Sequence, residues 1–163
     1  MPSELLPFHA DTYRIEDSVG YLLSRARAML AKSLDAALLT LEITHAQAGI
    51  LLMLASGRYT TAADLVREMY TDAASMTRML DRLQKHGLVQ RIPHPDDRRQ
   101  IRLHLTAAGT ALAAQLPPIL AGVLNAQFDG FSAEEIGFLK SLLRKMIATG
   151  TPIEAARSSA GLA

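Results

Sequence analysis

The sequence predicts a mainly α-helical protein with one small β-hairpin, and three observations carry that expectation. Apolar side chains recur at steps of three and four along most of the chain, the spacing of one helix face. Strict alternation is confined to Ile101, Leu103 and Leu105, interleaved with Arg102 and His104. Cap residues and glycines punctuate the periodic stretches at helix-length intervals. With 163 residues, 49% of them apolar, and a mean hydropathy of +0.13, the chain can close a core and reads as a single domain.

From Tyr13 to Leu41, apolar residues at Val19, Leu22, Leu23, Met29, Leu30, Leu34, Leu38 and Leu41 predict one long amphipathic helix. Thr44 with Gln47 spells a capping box and Gly57 a stop, so a second helix lies between them; its apolar interior, Ile50 to Leu54, marks it as buried. A short helix follows over residues 60 to 70, capped by Thr60 or Thr61, with Leu65, Val66 and Met69 on one face. Thr71 is placed to cap the next, Asp72 to His86, whose core face is Met76, Met79, Leu80 and Leu83 and whose stop is Gly87. Two helices joined by so short a turn make a helix-turn-helix.

Residues 88 to 92 and 101 to 105 then read as two strands around a polar turn. Thr106 can cap a helix running toward Phe128, in which Pro117 and Pro118 each remove a hydrogen bond and predict a bend or break. Ser132 with Glu135 starts the last helix, striped by Ile136, Leu139, Leu142, Leu143 and Met146. Residues 150 to 163 are weakly patterned and expected to fray. This order is that of a winged helix-turn-helix over residues 44 to 106, flanked by dimerisation helices at 13 to 41 and 107 to 149. The flanks are too apolar to stand alone, and a second copy would bury them in a two-fold homodimer.

The formal charge is only +1, but it is unevenly spread. Residues 72 to 106 hold seven Lys and Arg against four Asp and Glu, whereas residues 1 to 71 hold six against eight and residues 107 to 163 four against four. On the helix from Asp72, the face away from the apolar stripe carries Ser75, Arg78, Arg82 and Lys85. DNA's major groove admits a helix, and Arg can read guanine through two hydrogen bonds. The hairpin turn gathers Asp96, Asp97, Arg98 and Arg99. A narrow minor groove attracts inserted Arg, and Asp96 or Asp97 can orient a guanidinium by a charge-assisted bond. A solvated charged face with local ion pairs explains either element alone. Both in succession after a helix-turn-helix favour double-stranded DNA.

The segment TAADLVREMYTDAASMTRMLDRLQKHGLVQRIPHPDDRRQIRLHLTAAG resembles the core of the MarR family of bacterial transcriptional regulators. The family pattern combines a recognition helix ending before Gly-Leu-Val, a wing with Asp-x-Arg, and a following Leu-Thr-x-x-Gly. Here Asp97 and Arg99 match the wing motif, and Leu105, Thr106 and Gly109 match the last. The motifs cover roughly residues 60 to 109, and the element order extends the likeness to most of the chain. The resemblance implies a repressor that grips a pseudo-palindromic operator as a homodimer, with Ser75, Thr77 and Arg78 near the major groove and Arg99 at the wing tip. The Pro117-Pro118 pair departs from the unbroken helix usual in the family.

Many members of the family release DNA when a small aromatic acid or phenol binds between the dimerisation helices and the DNA-binding lobe. His9, Tyr13 and His45, with Phe8 nearby, are the residues expected to hold an aromatic or heteroaromatic carboxylate, because imidazole and phenol can hydrogen-bond it beside an apolar wall. Satisfied packing is the commoner explanation for such residues: a helix-start imidazole for His45 and a packed aromatic for Tyr13. Glu42 and His45 keep a zinc-responsive regulator open as an alternative, although the five histidines lack clear ligand spacing. A ligand-independent DNA-architectural protein is the other.

The chain has no cysteine, which excludes disulfides, thiol catalysis and thiol sensing. No glycine-rich phosphate loop, G-x-S-x-G or H-E-x-x-H is present, so neither an enzyme nor a cofactor is expected. No uninterrupted apolar run approaches the ~20 residues of a membrane span, and the start lacks the layout of a secretory signal, so the expected address is the cytoplasm.

Overall fold

Helices in this chain begin where a side chain can close on the third residue beyond it. The structure, a computed structural model, describes residues 8–94 and 100–150. Of the tail expected to fray over residues 150 to 163, all but Gly150 lie outside the described residues, as do the wing-turn residues Asp96, Asp97, Arg98 and Arg99. In order, the elements are α1 (Val19–Leu38), α2 (His45–Ala55), α3 (Ala62–Met69), α4 (Ala73–Lys85), β1 (Val89–Pro93), β2 (Ile101–Leu105), α5 (Ala107–Gln127) and α6 (Ala133–Thr149). Contacts divide the chain after Gln127 into two units. The first holds α1 to α5 with the hairpin, and the second holds α6.

Thr44, Thr61 and Ser132 each cap by a reciprocal box. At α2 the Thr44 hydroxyl accepts the Gln47 N–H at 3.3 Å, and the Gln47 side chain accepts the Thr44 N–H at 2.9 Å. Before α4 the cap is Asp72 rather than Thr71. Its carboxylate accepts the Ser75 N–H at 2.7 Å, once Tyr70 has turned left-handed (φ 46°) to end α3.

The expected single helix from Tyr13 to Leu41 is shorter. A 3-10 turn at Ile15–Asp17 ends at Ser18, which adopts an extended backbone and accepts the Tyr21 N–H to start α1. A second 3-10 turn covers Leu39–Leu41. The serine that reads as helix interior by periodicity therefore acts as a cap.

No break occurs at Pro117 and Pro118, and α5 runs through both. The helix packs against both α1 and α2, with Ala113 and Leu116 buried just ahead of the proline pair, and tertiary packing of this kind offsets lost helix hydrogen bonds. By length and composition α5 could also cross a bilayer, contrary to the sequence expectation, because Gly, Thr, Gln and Pro interrupt its apolar run without making it polar. The core of the first unit is closed by Leu38, Ile50, Leu51, Leu65, Met76, Leu80, Leu83 and Leu116, all fully buried. In the second unit, Phe128 and Phe131 meet edge to face at 5.4 Å ahead of α6.

Candidate nucleic-acid interface

The site is built on α4. Met76, Leu80 and Leu83 are at most 1% exposed and fix one side of the helix in the core. That anchoring leaves Thr77, Arg78, Arg82 and Lys85 exposed, with Ser75 half-buried. Arg78 donates to the Ser75 hydroxyl at 2.8 Å, one turn earlier, so two of the three residues expected near the major groove are already joined. Thr77 donates its hydroxyl to the Ala73 carbonyl at 2.8 Å. The Ser75 hydroxyl and N–H hold the Asp72 carboxyl below the usual carboxylate range, so the cap stays ionised at the N-terminus of the helix.

Behind α4, the α3 cap is a small network. Asp64 accepts the N–H groups of Thr60 and Thr61 at 3.2 and 3.0 Å and pairs with Arg67 at 2.6 Å. Hydrogen bonds from Thr61 and Thr60, then the Arg67 charge, hold its carboxyl low against a burial effect that raises it.

The C-terminus of α4 shows why the Gly-Leu-Val and Leu-Thr-x-x-Gly motifs travel together. Gly87 turns left-handed (φ 68°), its N–H goes to Gln84, and the Leu88 N–H reaches back to Leu83 at 2.9 Å, a Schellman stop. The same turn receives Thr106, whose hydroxyl donates to the Gly87 carbonyl at 2.6 Å and whose N–H bonds the Leu88 carbonyl at 3.1 Å. The Thr106 hydroxyl also accepts the Gly109 N–H at 3.0 Å, capping α5. A Cβ on Gly109 would lie 1.9 Å from the Leu88 carbonyl oxygen, so only glycine lets α5 approach this closely.

The wing is an antiparallel hairpin pairing Val89 with Leu105, Arg91 with Leu103 and Pro93 with Ile101. Val89 and Leu103 face the core. Leu103 also donates its N–H to Thr60 at 2.8 Å, fastening β2 to the entry of α3. Sequence reasoning missed Arg91, which bonds Asp81 and Gln84 of α4, each at 2.7 Å. A hint was present in the register, which sets an arginine on the row shared with Val89 and Leu103.

The three expected effector residues are not gathered in one hollow. His9 and Tyr13 line an open depression of about 250 Å³ with Phe8, Arg14 and Asp17. His45 is not in that lining. Its backbone N–H and Nδ1 both meet one oxygen of Asp35, at 2.6 and 2.9 Å, joining α2 to α1. Burial raises the Asp35 carboxyl, but the His45 hydrogen bonds and charge outweigh it and hold it low. Among the described residues no three of His, Asp and Glu are grouped as a metal site would need.

The model of the MarR family matches residues 43–101, the stretch from the end of the first flanking helix into β2. Over 130 residues the chain is 30% identical to the multiple antibiotic resistance protein MarR of Escherichia coli, covering 79% of this chain and 90% of that protein. A mutant of the same protein in complex with operator DNA superimposes with a TM-score of 0.72 at 29% identity, covering 78% of this chain and 92% of that one. BpsR of Bordetella bronchiseptica, a protein whose DNA binding is regulated by 6-hydroxynicotinic acid, superimposes with a TM-score of 0.75 at 26% identity, covering 85% and 99%.

Proposed function

The chain belongs to the MarR family and is a DNA-binding transcriptional regulator, not an enzyme; we propose that it is a homodimeric repressor, released from a pseudo-palindromic operator by a small aromatic or heteroaromatic carboxylate. The observation that carries the DNA reading is the exposed polar row of α4, standing on a helix whose opposite side is closed in the core. In this reading Ser75, Thr77 and Arg78 meet base edges and nearby phosphates, and Arg82 and Lys85 meet the backbone. The same reading assigns Arg98 and Arg99, with Asp96 or Asp97 as the orienting carboxylate, to the adjacent minor groove. The operator complex of the Escherichia coli relative supports it. Action on chromosomal DNA makes the cytoplasm the working compartment.

Exposed apolar side chains on both flanks support pairing with a second copy: Leu22 and Met29 on α1, Phe138, Met146 and Ile147 on α6. A two-fold dimer sets its half-sites about one helical turn, ~10 bp, apart. Fluorescence anisotropy against inverted repeats and unrelated duplexes tests the reading. A preference for one repeat by about a thousandfold or more is expected of a regulator. Equal binding to all duplexes identifies an architectural protein instead.

The effector reading draws on BpsR, whose regulator is a heteroaromatic carboxylic acid. His9 and Tyr13 offer an imidazole and a phenol at an open hollow. His45 has committed Nδ1 to Asp35, which leaves Nε2 to meet a ligand. Release requires that the ligand prefer a dimer whose α4 helices are wrongly spaced for the grooves, since equal affinity for both forms shifts nothing. Titration of benzoate-, salicylate- and pyridine-carboxylate compounds with and without operator, repeated in His9→Ala and His45→Ala, is the test. Weaker ligand binding with operator present and in either variant is expected. Binding that neither operator nor substitution alters removes these residues from the effector site.

A further inference from the structure

We propose that Arg91 is a positioning residue that locks the wing to α4, so that the groove-facing helix and the hairpin engage DNA as one body; this rests on the DNA-binding reading above. The hairpin register puts Arg91 opposite Leu103 on the row that also carries Val89, and both neighbours are buried. The Arg91 side chain is about one-third exposed, so its aliphatic stem can lie on apolar surface while the guanidinium reaches acceptors at the rim. Arg91 finds two on the same helix: Nη2 reaches Asp81 Oδ1 at 2.7 Å and Nη1 reaches Gln84 Oε1 at 2.7 Å. Asp81 and Gln84 are three residues apart and therefore neighbours on one face of α4. A planar group held by two nitrogens on two side chains fixes direction as well as distance.

The pair also accounts for a charge that is otherwise out of place. Asp81 stands half-exposed on the helix that offers Arg78, Arg82 and Lys85 to DNA, where a free carboxylate repels phosphate. With roughly 100° per residue, Asp81 and Gln84 fall between the core stripe and that basic row, on the side the wing covers. β2 is already fastened by the Leu103 N–H to Thr60, and Arg91 fastens β1 to the helix itself.

Removing the acceptors separates positioning from simple electrostatics by sign. Asp81→Ala with Gln84→Ala deletes one negative charge from the DNA-facing helix and substitutes the best helix former, so electrostatics alone predicts tighter operator binding. Positioning predicts the reverse: operator binding about tenfold weaker, with an unchanged thermal midpoint and helicity. Arg99→Ala should then cost several-fold less affinity in the double variant than in the wild type, because a loosened wing contributes less. Arg91→Lys, with one amine in place of a fixed fork, should fall between wild type and the double variant. Equal or tighter binding by the double variant, with the Arg99→Ala penalty unchanged, overturns the inference while wild-type binding preserves the DNA reading. A wild-type protein that binds no operator removes both.

Discussion

The DNA-binding lobe and α6 start their helices in the same way and end with different surfaces. Both α3 and α6 open on a reciprocal capping box, Thr61 with Asp64 and Ser132 with Glu135. In the lobe, the apolar faces that follow are closed within the chain, with Leu65, Met76 and Leu83 fully buried. On α6 none is: Phe138 is 68% exposed and Ile147 63%. Local signals are therefore enough to place a helix, whereas its apolar stripe finds cover only where the chain brings another surface to it. The lobe supplies that surface itself, and the proposed dimer supplies it to the flanks.

The largest effect should come from breaking the lobe where it has no room. Gly109→Val places methyl groups against the Leu88 carbonyl, and urea unfolding should show a loss of about 3 kcal/mol or more, with the wing and α5 loosened together. A near-wild-type midpoint would mean that α5 can shift away and that the contact does not define the lobe.

The flanks should break differently. Phe138→Ser with Ile147→Ser removes two side chains worth ~1.5 to 3 kcal/mol each when buried, enough to raise a dimer dissociation constant by about a hundredfold or more. Sedimentation should then show monomer at micromolar concentration, and the unfolding midpoint should stop depending on protein concentration while helicity persists. An unchanged dimer would place the interface elsewhere.

Smaller effects sharpen the capping side of the comparison. Thr61→Ala should cost ~1 kcal/mol by urea unfolding, the usual loss of an N-cap side chain. Asp64 adds a pH dependence. Because its folded-state pKa is depressed, its contribution is present above the ordinary carboxylate value of ~3.9 and is lost as pH falls through the lower folded value. Asp64→Asn should lower stability in the neutral region, where the carboxylate contributes, and converge on the wild type in acid, so that the acid limb of the stability profile flattens. An identical acid limb in the variant would assign the slope to other carboxylates.

What could be read directly from the sequence shares one property: it depends on residues a few positions apart. The boxes at Thr44 and Ser132, the stop at Gly87 and the alternation from Ile101 to Leu105 each involve a side chain and backbone within one or two turns, so spacing alone reveals them. The polar row of α4 follows from the same helical period. The remainder was decided by segments far apart in the chain. Packing of α5 on α1 and α2 carries it through Pro117 and Pro118, where the local rule predicts a break. One exception is local: Asp72 rather than Thr71 caps α4, two residues after Tyr70 ends α3 left-handed. Gly109 is required by a carbonyl 21 positions earlier, and Arg91 reaches back to α4 across the turn at Gly87. His9 and Tyr13 come together without His45, which the fold commits to Asp35. A periodic pattern states which face of an element is apolar, but the partner of that face is chosen by packing between distant segments, where a proline's lost hydrogen bond or a missing Cβ is offset by contacts that no local window contains.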